Sequence, residues 1–305
     1  MKIIKPLYLN NKNLISYLLT PFTILTILIN FSKNFLVKKK YKIKTICVGN
    51  IYIGGTGKTS LCIQINKILK NKFKTVFIKK RYLDQFDERE LLRTHGKLIS
   101  DENRGTSLDK AETKKFNLAI LDDGLQDKKI DYDISIACFN STYGIGNGYL
   151  LPAGPLREKL EILKKYSAIF LIGEKKNTKL SSILNKLNNN IFYSNYFPIN
   201  LKNLNRKKSY LYFCGIGNPE EFENTLNKYK FKISKKFIFP DHHNYTDEDL
   251  EKIKKIALKN KLEIITTEKD YKRLTNNNKK NIKYLKVELK IENLKKFYNF
   301  LKKKI

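Results

Sequence analysis

The sequence predicts an α/β protein: a P-loop-containing doubly wound sheet (α/β/α), a second and smaller α/β domain, and an N-terminal hydrophobic helix. Three observations lead to this class. Short apolar runs alternate with helix-like stretches, a glycine-rich turn lies between the first such pair, and a second alternating set follows residue 208. Strands that alternate with helices are typical of parallel sheets, because each parallel connection needs a crossover.

The order of these runs predicts four parts of the chain. After the glycine-rich turn, apolar runs at 75–80, 117–123, 133–139 and 167–173 predict strands, and the stretches 60–72, 87–97 and 106–115 predict helices or helical turns. An asparagine-rich segment then breaks the rhythm. We therefore expect an N-terminal helix and basic segment (1–40), a P-loop domain (41–188), a linker (189–208) and a C-terminal α/β domain (209–305).

Composition restricts the partners. The 305 residues carry a net charge of +32, from 61 basic and 29 acidic residues, and such a balance attracts polyanions. Only seven of the basic residues are arginine, and no nucleic-acid-binding module is visible, so we expect no nucleic acid partner. The four cysteines form no C-x-x-C pair and are typical of reduced thiols in a cytosolic protein.

The N-terminal segment 13–32 contains twenty uncharged residues and is followed by a lysine-rich stretch. Twenty residues are enough to span a bilayer, although Pro21, Asn30 and several threonines weaken that interpretation. The alternatives are a buried amphipathic helix and a helix that lies in or dips into a membrane. We favour the second, with the lysines meeting anionic headgroups on the cytosolic face.

The turn after the first apolar run reads Gly54-Gly55-Thr56-Gly57-Lys58-Thr59-Ser60. Glycines let successive backbone N–H groups point into one hollow, and the start of a helix adds further donors. In such a turn the lysine reaches the β- and γ-phosphates of a nucleoside triphosphate, and the threonine hydroxyl binds Mg²⁺. Because Tyr52 stands where the usual pattern has its first glycine, we expect Gly54 and Gly55 to form the turn.

A second feature is the pair Asp122-Asp123, which ends an apolar run. Carboxylates at the carboxyl end of a strand beside a P-loop are where such enzymes hold Mg²⁺. The alternative is a solvated Asp-Asp-Gly turn, which is common. With the P-loop upstream, the sequence favours a magnesium site.

Two further loops leave their roles open. The loop 144–160 ends in Arg157-Glu158, where the arginine could clamp phosphate oxygens or the glutamate could simply favour a helix start. The loop 239–250 contains two of the three histidines, one next to an aspartate, an arrangement that could relay a proton or be an ordinary surface loop. The residues alone do not decide between these alternatives.

Six segments, in this order, resemble the tetraacyldisaccharide 4′-kinases of lipid A biosynthesis. They are VGNIYIGGTGKTS (48–60), LDDGLQD (121–127), GIGNGYLLPAGPLREKL (144–160), GIGNPEEFENTL (215–226), FPDHHNYTDEDL (239–250) and TTEKD (266–270). The resemblance implies transfer of the ATP γ-phosphate to the 4′-hydroxyl of a tetraacylated glucosamine disaccharide 1-phosphate. It also implies ATP and Mg²⁺ as cofactors, and a location at the cytosolic face of the inner membrane.

The resemblance also implies roles for individual residues. Lys58 and Thr59 serve the phosphates and Mg²⁺, Asp122 and Asp123 serve the metal, and Glu158 is an active-site carboxylate. Asp87, in QFDERELL, and His242, in FPDHH, form a pair that activates the sugar hydroxyl. Arg104, in SDENRGT, matches a basic active-site residue, which we expect at the nucleotide.

The chain departs from the family in two places. The segment before Asp87 is shortened to KKRYLDQ (79–85), and Asp127 stands where the family has a histidine. A different class remains as the alternative, a partition-type P-loop ATPase switch without a small-molecule acceptor. Members of that class carry a lysine before the paired glycines, where this chain has Ile53, and lack the LLPAGPLRE segment.

Overall fold

The computed structural model describes residues 7–82, 86–142, 144–173 and 177–305. Predictions that involve residues 1–6 of the N-terminal segment, or 83–85 of the shortened loop, lie outside the described residues. The described chain divides into two compact units. The large unit comprises residues 7–82, 92–196 and 289–305, and the small unit comprises residues 86–91 and 197–288.

The strands of the described residues group into two sheets. In chain order they are β1 (Lys44–Gly49), β2 (Thr75–Lys79), β3 (Leu98–Ile99), β4 (Leu118–Asp122), β5 (Ile134–Asn140), β6 (Ala168–Ile172), β7 (Ile191–Pro198), β8 (Ser209–Cys214), β9 (Lys232–Ile238), β10 (Glu263–Thr267), β11 (Ile282–Leu285) and β12 (Val287–Ile291). The first sheet has the order β12-β7-β6-β5-β1-β4-β2-β3, and the second has the order β11-β10-β8-β9.

The α-helices include one in each of the three predicted helical stretches, 60–72, 87–97 and 106–115. They are α1 (Leu14–Leu19), α2 (Thr23–Ser32), α3 (Lys58–Leu69), α4 (Phe86–Arg93), α5 (Arg104–Thr113), α6 (Thr178–Asn185), α7 (Pro219–Lys228), α8 (Asp247–Lys259), α9 (Glu268–Arg273) and α10 (Leu294–Lys304). Short 3₁₀ helices cover Leu7–Leu9, Thr20–Phe22, Lys33–Phe35, Leu160–Lys165 and Leu201–Asn203.

The sheet of the large unit is doubly wound. From the central β1, the chain places β4, β2 and β3 on one side and β5, β6 and β7 on the other, and all of these pairings are parallel. Every residue of β4 and β6 is buried, as expected for strands covered on both faces. The predicted α/β class with a P-loop sheet is confirmed.

The small unit repeats this construction with four parallel strands. Alternate residues of β8 enter two different cores, because successive side chains of a strand point to opposite faces. Tyr210 and Tyr212 pack with Phe222 of α7, whereas Leu211 and Phe213 pack with Leu250 of α8. Thr246 and Asp249 form a capping box at the start of α8.

The structure differs from the predicted boundaries between 189 and 305. The asparagine-rich segment contains β7, which extends the large sheet. The strands β11 and β12, which follow each other closely in the chain, join different sheets. Asn188 and Asn190 donate to the backbone carbonyls of residues 163, 166 and 167. These asparagines therefore stabilise loops of the large unit. The linker had been predicted from the asparagine-rich composition alone.

The N-terminal segment 14–32 folds as α1, a 3₁₀ turn at Thr20–Phe22, and α2. It is long and apolar enough to cross a membrane, with a mean hydropathy of 1.8, and only 6% of its most apolar window is buried. Contact with the rest of the large unit includes two hydrogen bonds, from Thr26 to the carbonyl oxygen of Leu151 and from Asn30 to that of Arg157, and the packing of Ile27 against the hydrophobic core. The alternative of a buried helix is therefore not observed.

Candidate active site

The glycine-rich turn connects β1 to α3. Gly54 and Gly57 have φ values of 135° and 74°, a region that favours glycine, and Gly57 caps the N-terminus of α3. A side chain at position 57 would also meet the Tyr196 hydroxyl at 2.5 Å. The first free N–H groups of α3 and the adjacent Lys58 therefore lie at a turn that only glycine permits, which is the construction of a phosphate-binding loop.

Tyr52, which replaces the first glycine of the usual pattern, belongs to the core. It is 2% exposed, packs against Phe139, and its hydroxyl accepts a hydrogen bond from the backbone N–H of Asn140 at 2.7 Å. The prediction that Gly54 contributes the turn agrees with its positive φ. The tyrosine thus ties the start of the loop to the end of β5.

Asp122 lies at the end of β4 and is fully buried. Its Oδ2 accepts a hydrogen bond from the Thr59 hydroxyl at 2.9 Å and contacts the Lys79 ammonium at 2.9 Å. The next residue, Asp123, has a positive φ of 60° and places Oδ1 3.6 Å from Lys58 Nζ. The structure therefore brings the predicted phosphate-binding and metal-binding residues of the large unit together.

The free carboxylate oxygens fit a magnesium ion. Among the described residues, Asp122 Oδ1, Asp123 Oδ1 and the Thr56 hydroxyl are buried without a hydrogen-bond partner. Unsatisfied buried oxygens are costly, and two carboxylates beside a threonine hydroxyl are the hard donors that Mg²⁺ prefers. The described residues contain no cluster of three or more His, Cys, Asp or Glu side chains that could hold a metal ion.

The charge at Asp123 is stabilised by its surroundings. Burial alone would raise the pKa of this carboxyl, but the positive charges of Lys58, Arg157 and Lys79 hold the pKa below its ordinary value. Asp123 is therefore an anion at neutral pH, as a metal ligand must be.

Arg104 opens α5 and is buried beside the aspartates rather than at the glycine-rich turn. Its Nη2 donates to the carbonyl oxygen of Asp123 at 2.5 Å, and its Nη1 lies 3.7 Å from Asp127 Oδ2. Asp127, which replaces the histidine of the family pattern, thus has an electrostatic partner in this chain. The expected contact of Arg104 with the nucleotide stays a prediction.

Glu158 lies in the loop after β5 and is buried with both carboxylate oxygens satisfied. Lys128 contacts Oε1 at 2.7 Å, and the Tyr166 hydroxyl donates to Oε2 at 3.0 Å. Burial and the nearby Glu158 raise the pKa of Tyr166 well above its ordinary value, so the hydroxyl keeps its proton. These contacts tie the 144–160 loop to the loop that carries Asp123.

In the small unit, Asp87 and His242 are in direct contact. Asp87 lies in the first turn of α4 and is 3% exposed, and its Oδ1 is 3.1 Å from His242 Nδ1. An ionised carboxylate can only accept, so the ring N–H at Nδ1 donates and Nε2 remains the acceptor side of the imidazole. His242 itself has a φ of 58°, an uncommon conformation for a residue other than glycine.

Arg273, at the end of α9, contacts the carboxylate of this pair. Its Nη2 donates to Asp87 Oδ2 at 2.8 Å, while its Nη1 donates to Asp270 Oδ1 at 2.8 Å and to the carbonyl oxygen of Gly215. Asp270 is fully buried and also accepts from the Tyr245 hydroxyl at 2.9 Å. The arginine fork therefore connects Asp87 to the interior of the small unit.

This environment keeps Asp87 ionised. Burial would raise the pKa of the carboxyl, but the hydrogen bond from His242 and the positive charges of Arg273 and Lys269 hold the pKa far below its ordinary value. Lys269 in turn contacts Glu88 at 3.2 Å. A histidine oriented by a permanently charged carboxylate is suited to accept a proton.

His243, the neighbouring histidine, is a packing residue. Its Nε2 is 2.9 Å from Asp249 Oδ2 at the start of α8, and its ring stacks on Phe239 with centroids 4.6 Å apart.

Three basic residues that contact the predicted site residues were not predicted from the sequence: Lys79, Lys128 and Arg273. Lys79 looks like part of a lysine run, and only its position opposite Asp122 in the β2–β4 register reveals the contact.

A glycine-rich turn before a helix, aspartates at the end of the adjacent parallel strand and a doubly wound sheet together define a P-loop nucleotide-binding enzyme of the α/β class. A sequence profile of the tetraacyldisaccharide-1-P 4′-kinase family matches residues 15–95 and 85–305. The chain belongs to this family.

Individual relatives agree. The tetraacyldisaccharide 4′-kinase of Pelagibacter ubique is 45% identical over 307 residues, which cover 99% of this chain and 98% of that protein. The enzyme of the same name from Rickettsia akari is 34% identical over 312 residues, covering 96% and 95%. A crystal structure of LpxK from Aquifex aeolicus in complex with ATP superposes with a TM-score of 0.75 at 23% identity, covering 95% of this chain and 99% of that one, and so shares the fold.

The predicted family, and with it an ATP-dependent kinase of lipid A biosynthesis that uses ATP and Mg²⁺, is confirmed. The roles of the individual site residues stay predictions.

Proposed function

We propose that this chain transfers the γ-phosphate of ATP to the 4′-hydroxyl of a tetraacylated glucosamine disaccharide 1-phosphate. The observation that carries the proposal is the group formed by Lys58, Thr59, Asp122 and Asp123, on a chain that matches the kinase family over nearly its whole length. Phosphoryl transfer depends mainly on positioning and on neutralising charge, and these residues supply both.

In this proposal the residues from Gly54 to Ser60 bind the triphosphate. The backbone N–H groups at the start of α3 hold the phosphate oxygens, and Lys58 neutralises charge that develops on the transferred group. Thr59, Asp122 and Asp123 would hold Mg²⁺, which when bound offsets the charge of the β- and γ-phosphates. Lys79 keeps Asp122 in place whether or not the Thr59 hydroxyl is engaged elsewhere.

Asp87 and His242 act together on the acceptor. With Nδ1 donating to Asp87, the Nε2 atom of His242 accepts the proton of the sugar hydroxyl, while the charge of Asp87 stabilises the imidazolium that forms. Arg273 fixes the carboxylate. This assignment gives the pair the role that the resemblance implies.

Arg104 and Glu158 have supporting roles in the same proposal. Arg104 positions Asp123 through the backbone carbonyl of that residue, and Glu158 holds Lys128 and the 144–160 loop. The remaining donors of Arg104 would serve the nucleotide. The acceptor is a membrane lipid, and the exposed apolar segment 14–32 explains how a chain of net charge +32 reaches it. We place the enzyme peripherally at the cytosolic face of the inner membrane, against an anionic surface.

The test is incubation of the purified full-length protein with ATP, Mg²⁺ and the disaccharide 1-phosphate. We expect a product heavier by one phosphate, and phosphorus–proton NMR coupling to the 4′ position. A product phosphorylated at another hydroxyl would contradict the acceptor assignment, and no lipid product under conditions where ATP is hydrolysed would contradict the function.

A further inference from the structure

Lys79 is a buried lysine at the carboxyl end of β2, beside the residues that would hold the metal in the proposed function. Its side chain is 2% exposed, and its ammonium nitrogen lies 2.9 Å from Asp122 Oδ2. The β2–β4 register places the two residues next to each other on neighbouring strands. Lysine is almost never fully buried unless it is paired, and the contact with Asp122 accounts for a charge at this depth.

The two carboxylate oxygens of Asp122 have different surroundings. Oδ2 accepts a hydrogen bond from the Thr59 hydroxyl at 2.9 Å and another from the Lys79 ammonium at 2.9 Å. Oδ1 has no hydrogen-bond partner among the described residues. While Lys79 stays in contact with Oδ2, Asp122 therefore offers a cation one oxygen and not two.

Lys79 also changes the charge of the site. The charges of Lys58, Lys79, Asp122 and Asp123 sum to zero, and Arg157 adds further positive charge near Asp123. A divalent cation that arrives alone therefore meets no net negative charge. One that arrives with a triphosphate brings anionic oxygen ligands with it, which satisfy the preference of Mg²⁺ for such ligands.

The two lysines of this group differ in how firmly they are held. Lys58 is 15% exposed and its Nζ lies 3.6 Å from Asp123 Oδ1, a loose contact that lets the side chain turn towards a phosphate. Lys79 is almost fully buried and closer to its partner. If it moved away, it would leave Asp122 as an uncompensated buried charge, which is costly. Lys79 therefore stays with the carboxylate whether or not a nucleotide is bound.

We propose that Lys79 is a positioning residue that acts through Asp122 and makes binding of the divalent cation dependent on the nucleotide. It holds one carboxylate oxygen and offsets the charge, so that the site binds the cation tightly only together with the triphosphate. The inference rests on the metal site of the proposed function and adds what determines when that site is filled. Lys79 begins the segment in which the chain departs from the family, KKRYLDQ, and the resemblance assigns it no role.

The experiment measures Mn²⁺ binding to the full-length protein in neutral detergent micelles without nucleotide, from the electron paramagnetic resonance signal of the free ion. Mn²⁺ is a suitable probe because carboxylate and water oxygens bind it as they bind Mg²⁺. Lys79→Met and Lys79→Gln remove the charge, Lys79→Arg keeps it, and Lys79→Met is also combined with Asp122→Asn. The matched control is Lys110→Met, whose lysine pairs with Asp101 at 2.6 Å and is 52% exposed.

We expect no saturable binding of sub-millimolar Mn²⁺ by the wild type, by Lys79→Arg or by the Lys110→Met control. The two neutral variants should bind Mn²⁺ at least about tenfold more tightly than the wild type, because a positive charge beside the cation has been removed. The added Asp122→Asn substitution should abolish this gain. Circular dichroism spectra establish which variants are folded, and glutamine, which keeps a hydrogen-bond donor, provides a second neutral variant.

Saturable Mn²⁺ binding by the wild type without nucleotide overturns the proposal, whatever the variants do. Unchanged binding in a folded neutral variant also overturns it, since Lys79 would then only stabilise the fold. A gain that survives Asp122→Asn places the cation elsewhere and likewise overturns it. A wild type that shows the expected Mn²⁺ binding but transfers no phosphate to lipid supports the role of Lys79 and contradicts the proposed reaction.

Discussion

At the scale of single residues, the candidate site is built from buried charges that are each held by an opposite charge. Asp122 is held by Lys79 in the large unit, and Asp87 by Arg273 in the small unit. Such pairs contribute little net stability when intact, but removing one partner leaves an uncompensated buried charge. Their value is that they fix the position and ionisation of a carboxylate.

The Asp87–His242 pair makes a kinetic prediction. Asp87→Asn and His242→Ala should each lower kcat by about 10²–10⁴-fold, the usual contribution of general base catalysis. The double variant should be little worse than either single one, because groups that serve one proton transfer are not additive. We would measure kcat and ATP affinity for all three; multiplicative losses, or a normal kcat at either position, would show that the residues do not act together.

The low pKa of Asp87 makes a prediction about acid stability. A carboxyl whose pKa is lower in the folded protein than its ordinary 3.8 stabilises the fold at pH values above 3.8. This contribution disappears as the pH falls through the folded-state pKa. The free energy of unfolding, measured with denaturant, should therefore differ between the wild type and Asp87→Asn. This difference should be constant near neutrality and should become smaller below pH 3.8. A difference that widens in acid would contradict the assigned shift.

Lys79 gives a third prediction, on stability. Both partners of the Lys79–Asp122 pair are at most 2% exposed. Lys79→Met should therefore lower the free energy of unfolding by about 3–5 kcal/mol. The matched control is Lys110→Met, which removes a pair whose lysine is 52% exposed and should cost at most about 1 kcal/mol. The free energies of unfolding are obtained from urea unfolding curves. Equal losses of stability in the two variants would show that burial does not determine how much the loss of an ion pair costs.

Sequence reasoning reached these residues unevenly, for a physical reason. Lys58, Thr59, Asp122 and Asp123 are found because local signals mark them, a glycine turn and a strand end. Arg273 contacts Asp87 although the two residues are 186 positions apart in the chain. No local sequence pattern predicts such a contact. Asp87 and His242 came only from resemblance, and the structure places them in contact.

At the scale of elements, regular strands and helices followed the predicted pattern, and the exceptions are instructive. The strand β7 and the helix α10 join the large unit through an aromatic cluster of Phe170, Phe192 and Phe297, with ring centroids 4.8–5.5 Å apart. The packing of aromatic rings that are distant in sequence therefore places β7 and α10 in the large unit. The sequence had instead predicted a linker around β7, because the segment is rich in asparagine.

The N-terminal segment carries the prediction at this scale. Replacing Leu18, Leu25 and Leu28 by Glu should move the protein from the membrane fraction to the soluble fraction by about 100-fold or more, because burying each leucine contributes about 1.5–3 kcal/mol. These side chains are more than half exposed, so folding should be retained. Thr26→Val, which removes the contact with Leu151, is the control and should stay with the membrane. A triple variant that remains membrane-bound would contradict the proposed anchor.

At the scale of the whole molecule, the family relationship and the geometry of the two units support the same account. The large unit carries a P-loop with a carboxylate pair, the small unit carries an oriented histidine, and a basic chain of +32 suits an anionic lipid acceptor. A partition-type ATPase switch would need the first of these features and neither of the others.

The most direct test of the central claim follows the label of [γ-³²P]ATP in the presence of the disaccharide 1-phosphate, with wild-type protein and Lys58→Ala. The account predicts that the wild type moves the label into the lipid, and that Lys58→Ala does so at least about 10²-fold more slowly at saturating ATP. Label released only as inorganic phosphate, or transfer at the wild-type rate without Lys58, would contradict it.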